Sequence, residues 1–212
     1  SSMRLGINNV SDRIADGFVS AGNTGALMAI SKFVLRTISG IDRPAIAGLM
    51  PTLKGQTVIL DLGANVDCSN KNLVQFALMG DIFSQAVLGI QKPKIGLLNV
   101  GSELIKGNEI VKQTHSDLKN IKEKINFHGF VEGSDINKGI VDVVVTDGFS
   151  GNIALKTAEG VAELIFTFLK NSYNSSIVSK IGYILSKPAL NRFKTRIDPR
   201  TYNGAVLLGL NG

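Results

Sequence analysis

Cysteine is nearly absent from this chain of 212 residues, which contains Cys68 alone. A single thiol excludes an internal disulfide framework, and the sequence offers no set of cysteine and histidine ligands for structural zinc. A reducing compartment such as the cytoplasm is therefore the expected location. The sequence also lacks a run of 18 apolar residues, so no membrane-spanning helix is expected.

Aromatic residues are scarce at 6%, tryptophan is absent, and glycine is frequent at 23 residues. Hydrophobic residues make up 44% of the chain and charged residues 19%, which suits a packed protein and argues against disorder. A glycine-rich, aromatic-poor chain with short apolar runs is typical of an α/β enzyme.

Acidic residues are missing from one segment, residues 171–197, which carries most of the net charge of +6. Clustered positive charge indicates an acidic partner or an anionic surface. No nucleic-acid partner is expected, because the segment contains no recognised nucleic-acid-binding motif. The basic residues of this segment are Lys180, Lys187, Arg192, Lys194 and Arg196.

Short apolar runs recur along the chain, most of them followed by a polar, glycine-bearing loop and a helical pattern. They predict strands over residues 16–20, 57–62, 94–100, 125–131 and 141–146. Continuous apolar strands that alternate with helices predict an α/β fold with a three-layer, doubly wound, mostly parallel sheet and right-handed crossovers.

The chain is expected to form one α/β domain over residues 1–212, with residues 171–197 as a basic insertion. Apolar residues at helical spacing, interrupted at Pro188, predict two short amphipathic helices there. Such a hairpin is typical of a membrane-surface or partner-docking element, and equally of a hairpin packed on its own core or on a second subunit. The domain is expected to be incomplete, because the chain opens inside a helical pattern and stops at what resembles an interior turn.

Four polar loops are expected at the carboxyl edge of the sheet, where doubly wound proteins bind ligands. Glycine lets backbone amides approach an anion, and the N-terminus of the following helix contributes a partial positive charge. The loops therefore predict a phosphate- or oxyanion-binding crevice, although each glycine or asparagine alone would also make an ordinary turn. None has the spacing of a nucleotide motif. The candidate residues are Ser20, Gly22, Asn23, Thr24, Gly25, Asn65, Asp147, Gly148 and Gly151.

Two further residues are candidates for chemistry. Lys106 lies just before a predicted helix start, where a cation opposes the helix dipole, so a bound anion would explain it; a solvated surface lysine is the alternative. Asn152 lies at the entrance of the last long helix. It is either a helix cap or an amide that stabilises the oxyanion of a substrate carbonyl.

Other polar residues are assigned structural roles. His115 is expected at the surface, and His128 at the end of a short strand. Asp61 and Asp67 lack a third ligand, so no metal site is predicted, and Asp61 is expected to accept hydrogen bonds within its loop. Cys68 is not expected to be a nucleophile, because the neighbouring charge of Asp67 would raise its pKa.

Six segments, in order along the whole chain, resemble the bacterial phosphate acyltransferase family, PlsX. They are VSAGNTGALM (19–28), LDLGANVD (60–67), GLLNVG (96–101), KGNE (106–109), DGFSGNIALKT (147–157) and LLGLNG (207–212). The family's fold resembles isocitrate and isopropylmalate dehydrogenases. Its members begin with a further strand and helix bearing an Asp-Ala-Met-Gly-Gly-Asp motif and continue beyond the final Asn-Gly of this sequence.

The resemblance implies transfer of a fatty acyl group from acyl carrier protein to inorganic phosphate, yielding acyl phosphate for phospholipid synthesis. It implies no cofactor or metal, a cytoplasmic homodimer, and possible peripheral contact with a membrane. Residues 20–25 and Lys106 would hold phosphate, and Asn152 would stabilise the oxyanion. The basic segment would suit acidic acyl carrier protein or an anionic bilayer. Two other functions stay open: a phosphotransacetylase-like enzyme using coenzyme A, and a non-catalytic module that docks acyl carrier protein.

Overall fold

The computed structural model describes residues 1–197 and 204–212. These residues divide into two compact units, Ser1–Asn152 with Ala205–Gly212, and Ile153–Gly204. Helices and strands follow one another in the order α1 (Ser2–Ser11), α2 (Thr24–Leu35), β1 (Ala45–Thr52), β2 (Gly55–Leu60), α3 (Asn70–Leu88), β3 (Lys94–Leu98), α4 (Glu109–Asn120), β4 (Asn126–Val131), α5 (Gly133–Lys138), β5 (Val143–Val145), α6 (Gly148–Asn174), α7 (Ile177–Ile197) and β6 (Val206–Leu208).

One six-stranded sheet organises the first unit, with strand order β4-β3-β5-β2-β1-β6. The strands β4, β3, β5 and β2 are mutually parallel, whereas β1 pairs antiparallel with both β2 and β6. The prediction of an α/β protein with a mostly parallel sheet is therefore confirmed. Its assignment to three layers of the isocitrate dehydrogenase type stays a prediction.

The central strands form because β-branched and aliphatic residues follow one another without polar interruption. Val58 and Leu60 of β2 pack with Val143 of β5 in a core that also contains Phe76 of α3. The alternate residue Ile59 points to the opposite face and is also buried. Burial on both faces explains why these strands appear in the sequence as continuous apolar runs.

Four of the five predicted strands are confirmed, at 57–62, 94–100, 125–131 and 141–146, with slightly shorter bounds. The predicted strand over residues 16–20 is wrong. This segment has no ladder partner among the described residues, and Val19 is 96% exposed, so its extended pattern is not stabilised by pairing. The strands β1 and β6 were not predicted, since β1 contains Gly48 and Pro51, which are both unfavourable within strands.

The second unit pairs the later part of α6 with α7. The ring of Phe166 meets that of Phe193, and the Tyr173 hydroxyl lies 3.1 Å from the hydroxyl of Ser186. The prediction of two short helices is wrong, because α7 continues through Pro188. Contacts to α6 before and after Pro188 hold the helix together despite the missing N–H. The single-domain organisation stays a prediction.

Among the described residues, no helix combines the length and apolar character that crossing a membrane needs.

Candidate active site

Three of the four predicted loops lie side by side at one edge of the sheet. The last core residues of three parallel strands are in register, since Val145 of β5 is aligned with Leu60 of β2 and with Leu97 of β3. The loops that leave these strands therefore begin within one or two strand spacings of each other, about 5 to 10 Å. The expected position at the carboxyl edge of the sheet is confirmed for these three loops, and the anion-binding crevice stays a prediction.

Asp61, which follows β2, organises the first of these loops. Its buried carboxylate accepts hydrogen bonds from the backbone N–H groups of Ile46, Gly63, Ala64 and Asn65, at 2.7 to 3.2 Å. It also accepts one from the side chain of Asn65 at 2.8 Å. The prediction that Asp61 is a loop-shaping acceptor is confirmed.

Asn65 holds the same loop to β1. Its side-chain Nδ2 donates to the Asp61 carboxylate and to the carbonyl of Pro44, each at 2.8 Å, and the residue is buried. The Nδ2 group of this predicted substrate-binding residue is thus used within the protein. Its role toward a substrate stays a prediction.

Gly148 and Gly151 let the first turn of α6 approach the loop after β2. A Cβ atom at Gly148 would lie 2.7 Å from the carbonyl oxygen of Asn65, and one at Gly151 would overlap the carbonyl of Asp61. Their N–H groups donate to Asn65 and Asp147 within the protein. Both glycines therefore serve close packing, and their predicted contact with a substrate rests on position alone.

Asp147 caps α6. Its carboxylate accepts from the backbone N–H of Ser150 at 2.8 Å and from its hydroxyl at 3.0 Å. The alternative that Asn152 is the cap is therefore wrong, because Asn152 is the fifth residue of the helix.

Asn152 instead lies exposed in the second turn of α6, over the loop after β2. Its side-chain Cβ would be 3.6 Å from a Cβ atom at Gly63, whose φ of 123° requires glycine. The side chain of Asn152 makes no hydrogen bond within the described residues. Its amide is thus available to a ligand at this edge.

Lys106 lies in the loop between β3 and α4. The helix begins at Glu109 with Asn108 as its cap, so Lys106 lies just before the helix start, as predicted. The acid that suits the helix dipole is Glu109 in the first turn. Lys106 Nζ forms an ion pair with Glu103 Oε1 at 2.9 Å.

The fourth predicted loop, residues 20–25, follows no strand. Ser20 Oγ accepts from the N–H of Gly22, and Asn23 caps α2, with Thr24 as its first residue, by accepting from Ala26. These bonds account for the turn at Gly22 and for the start of α2, in which Gly25 is the second residue. Its contribution to a phosphate site stays a prediction.

The histidines and the cysteine depart from their predicted surroundings. His115 is half-buried rather than fully solvated: its ring packs 4.5 Å from that of Phe130, and burial lowers its pKa. His128 lies within β4 rather than at its end. Burial, and then the charge of Asp61 rather than Asp67, raises the pKa of Cys68 to about 11. The thiol is therefore protonated and unreactive at neutral pH.

Sequence reasoning missed two residues that shape the Lys106 loop. Asn99 Nδ2 donates to the carbonyls of Gly101 and Lys106, at 3.0 and 3.2 Å, and thus ties together the two ends of the loop. Glu103 supplies the ion-pair partner of the lysine. The sequence did contain a signal for Asn99, because it is a polar residue that directly follows the apolar residues of a strand.

Exposed apolar side chains accompany the polar groups in these loops. Val66 follows β2, and Val100, Leu104 and Ile105 follow β3; they are 62 to 84% exposed. Single exposed aliphatic residues are common, but the three in the loop after β3 offer an apolar surface beside Lys106, which lies in the same loop.

Comparison with known proteins shows the family of this chain. A family model described as "Fatty acid synthesis protein" matches residues 1–212. The chain belongs to this family. Curated relatives named phosphate acyltransferase are 61% identical in Paramagnetospirillum magneticum and 58% identical in Rhodospirillum centenum, over the whole chain and 60% of each relative. The resemblance to phosphate acyltransferases is thus confirmed, and the chain spans about three fifths of the length of these relatives.

Solved structures of phosphotransacetylases share the fold of this family member. The enzyme of Staphylococcus aureus aligns with a TM-score of 0.60 at 19% identity, over 76% of this chain and 56% of that one. The enzyme of Streptococcus pyogenes aligns with a TM-score of 0.61 at 20% identity, over 76% and 55%. At these identities the likeness concerns the fold.

Proposed function

We propose that the full-length protein transfers a fatty acyl group from the thioester of acyl carrier protein to inorganic phosphate. A phosphate oxygen attacks the thioester carbonyl carbon, a C–O bond forms, and the C–S bond breaks. The sulfur leaves as a thiolate and takes up a proton, and the acyl phosphate is released. Phosphate is the nucleophile, so the reaction requires no nucleophilic side chain.

The observation that carries this proposal is the presence of an ammonium group in a loop and an exposed amide on a helix at the same sheet edge. Lys106 supplies positive charge for phosphate, and Asn152 supplies an N–H donor for the carbonyl oxygen. Attack on a thioester builds negative charge on that oxygen, and a donor fixed in place stabilises this charge without reorganisation. The two groups thus match the nucleophile and the electrophile of acyl transfer.

The apolar side chains beside Lys106 support a long acyl group as the other substrate. Val100, Leu104 and Ile105 lie in the same loop as the lysine and are 64 to 84% exposed. Covering such residues with an alkyl chain contributes about 0.8 kcal/mol for each buried CH₂ group. A fatty acyl group would gain this energy, whereas an acetyl group would gain little of it.

Coenzyme A is the alternative acyl carrier, and the phosphotransacetylase fold of the solved neighbours favours it. A donor comparison separates the two functions. Acyl phosphate formed by the full-length protein is measured by ³¹P NMR, with acyl carrier protein and coenzyme A thioesters of the same chain length. Faster turnover of the carrier-protein thioester supports the proposal, and equal or faster turnover of the coenzyme A thioester contradicts it.

The role of Lys106 predicts a phosphate-specific defect in Lys106→Ala. Loss of the ammonium group should raise the phosphate KM about tenfold and slow turnover, because a charged hydrogen bond contributes about 1.5 to 3 kcal/mol. The matched control is Lys112→Ala, which removes a lysine paired with Glu109 one helical turn into α4. An unchanged phosphate KM in Lys106→Ala would exclude the lysine from the phosphate site.

The basic segment is proposed to bind acyl carrier protein, which is acidic. Residues of α7 are not buried within the described structure, and its basic side chains are exposed at Lys180, Lys187, Arg192 and Lys194. Opposite charge across an interface accelerates encounter and fixes register. Arg196 belongs to the same basic end of the helix. Peripheral membrane contact and homodimerisation stay predictions.

Charge reversal tests this surface. Lys180→Glu, Lys187→Glu and Arg192→Glu together should weaken binding of acyl carrier protein at least about tenfold at low salt, with a smaller loss at high salt. The control reverses three exposed lysines elsewhere, Lys119, Lys122 and Lys124. Binding is measured by calorimetry, with anionic liposomes in a parallel series. Loss of liposome binding alone would assign the segment to a membrane, and unchanged binding of both would make it structural.

A further inference from the structure

The ammonium group of Lys106 already has an anionic partner in the ligand-free protein. Glu103 Oε1 lies 2.9 Å from Lys106 Nζ, which is within hydrogen-bond distance. The hydrogen bond from Lys106 holds the pKa of the Glu103 carboxyl below its usual value. The carboxylate is therefore charged at neutral pH and occupies a position that phosphate would need.

Backbone contacts fix the loop that carries the ion pair between Glu103 and Lys106. Asn99, only 9% exposed, binds the carbonyls at both ends of the loop, and the N–H of Lys106 donates to the carbonyl of Glu103 at 3.0 Å. Gly107 has a φ of 91°, and a side chain there would overlap Asn99. These contacts fix the backbone around Lys106, so its ammonium group stays near the sheet edge whichever anion it binds.

We propose that Glu103 is an internal competitor for phosphate: its carboxylate occupies the Lys106 ammonium in the free enzyme and is displaced when phosphate binds. This inference rests on the proposed function, in which Lys106 holds the nucleophilic phosphate. It makes Glu103 a residue that sets how much phosphate the enzyme requires.

Displacement is feasible because the pair is exposed. The side chains of Lys106 and Glu103 are 46% and 54% exposed, and ion pairs of this kind contribute only about 0.2 to 1 kcal/mol. Phosphate offers more acceptor oxygens and more negative charge than one carboxylate, so it replaces Glu103 where a weaker anion does not. The pair with Glu103 lowers the apparent affinity of this lysine for every external anion by the same factor, so it sets the phosphate concentration that the site requires.

Glu103→Gln in the full-length protein tests the competition. Glutamine keeps the size of the side chain but loses its charge, so the phosphate KM should fall about two- to five-fold with kcat unchanged. Calorimetric titration with inorganic phosphate should show the same gain in affinity. The matched control is Glu109→Gln, which removes an equal charge from the ion pair with Lys112. Its phosphate KM is expected to stay unchanged.

A second background separates this inference from the proposed function. In Lys106→Ala, the further change Glu103→Gln should have no effect on phosphate affinity, because the ammonium group for which Glu103 and phosphate compete is absent. If Glu103→Gln leaves the phosphate KM unchanged or raises it, while Lys106→Ala still raises it, Glu103 does not compete with phosphate. The proposed phosphate site at Lys106 is then retained. If Lys106→Ala itself leaves phosphate affinity unchanged, both the phosphate site and the competitor fail. An equal gain in Glu109→Gln would show a general charge effect and overturn the specific role of Glu103.

Discussion

Replacing Asn152 with alanine should lower turnover of the full-length enzyme by roughly 100- to 1,000-fold, equivalent to about 3 to 4 kcal/mol of transition-state stabilisation. Binding of the acyl donor should change little, because in the proposed role the hydrogen bond from Asn152 to the carbonyl oxygen would strengthen only as negative charge develops. Thermal stability should also be retained, since Asn152 is exposed in α6 and alanine is a better helix former.

The control for this experiment is Asn171→Ala, the same exchange at an exposed position of the same helix. Acyl phosphate formation and thermal unfolding are measured on both variants. Normal turnover of Asn152→Ala would remove its role in catalysis. Equal loss of turnover in both variants would assign the effect to the helix rather than to the amide.

Replacing Asp61 with alanine should lower the free energy of unfolding by at least about 3 kcal/mol. The change removes the acceptor of five hydrogen bonds, and each buried donor left without a partner costs about 1 to 3 kcal/mol. Because α6 packs on this loop through Gly148 and Gly151, activity should also be lost.

Asp67→Ala is the matched control, since Asp67 is an exposed carboxylate in the same loop. Its free energy of unfolding should change by less than about 0.5 kcal/mol. Urea titration monitored by circular dichroism measures both variants. A similar small loss for the two would show that solvent replaces the Asp61 hydrogen bonds, and that the carboxylate does not hold the loop together.

The sequence was sufficient to predict the parallel part of the sheet. Strands such as β5 are buried on both faces, and the resulting β-branched runs are visible without any structure. The antiparallel strand β1 escaped prediction, because its pairing in a hairpin with β2 and its distant pairing with β6 override the weak strand propensity of Gly48 and Pro51. The prediction of a strand over residues 16–20 is wrong for the opposite reason. Local strand propensity forms no strand where no other strand pairs with the segment.

The candidate site was predictable to the extent that a residue's role depends on its own strand. Asp61 ends β2, and a carboxylate at that position has loop N–H groups within reach. The role of Asn99 and the pairing of Lys106 with Glu103 depend instead on how a loop folds back on itself. Such closure is decided by backbone conformations, including the positive φ of Gly107, which one sequence alone does not specify.

The two glycines at the start of α6 limit which positions of the candidate site tolerate substitution. Any side chain at Gly151 would collide with the backbone carbonyl of Asp61, and one at Gly148 would press against Asn65. A variant library that includes these positions would mostly yield misfolded protein. Val66, Leu104 and Ile105 face solvent, so diversity at those positions would preserve the framework around Asn152 and, under the proposed function, would vary the surface offered to the acyl group.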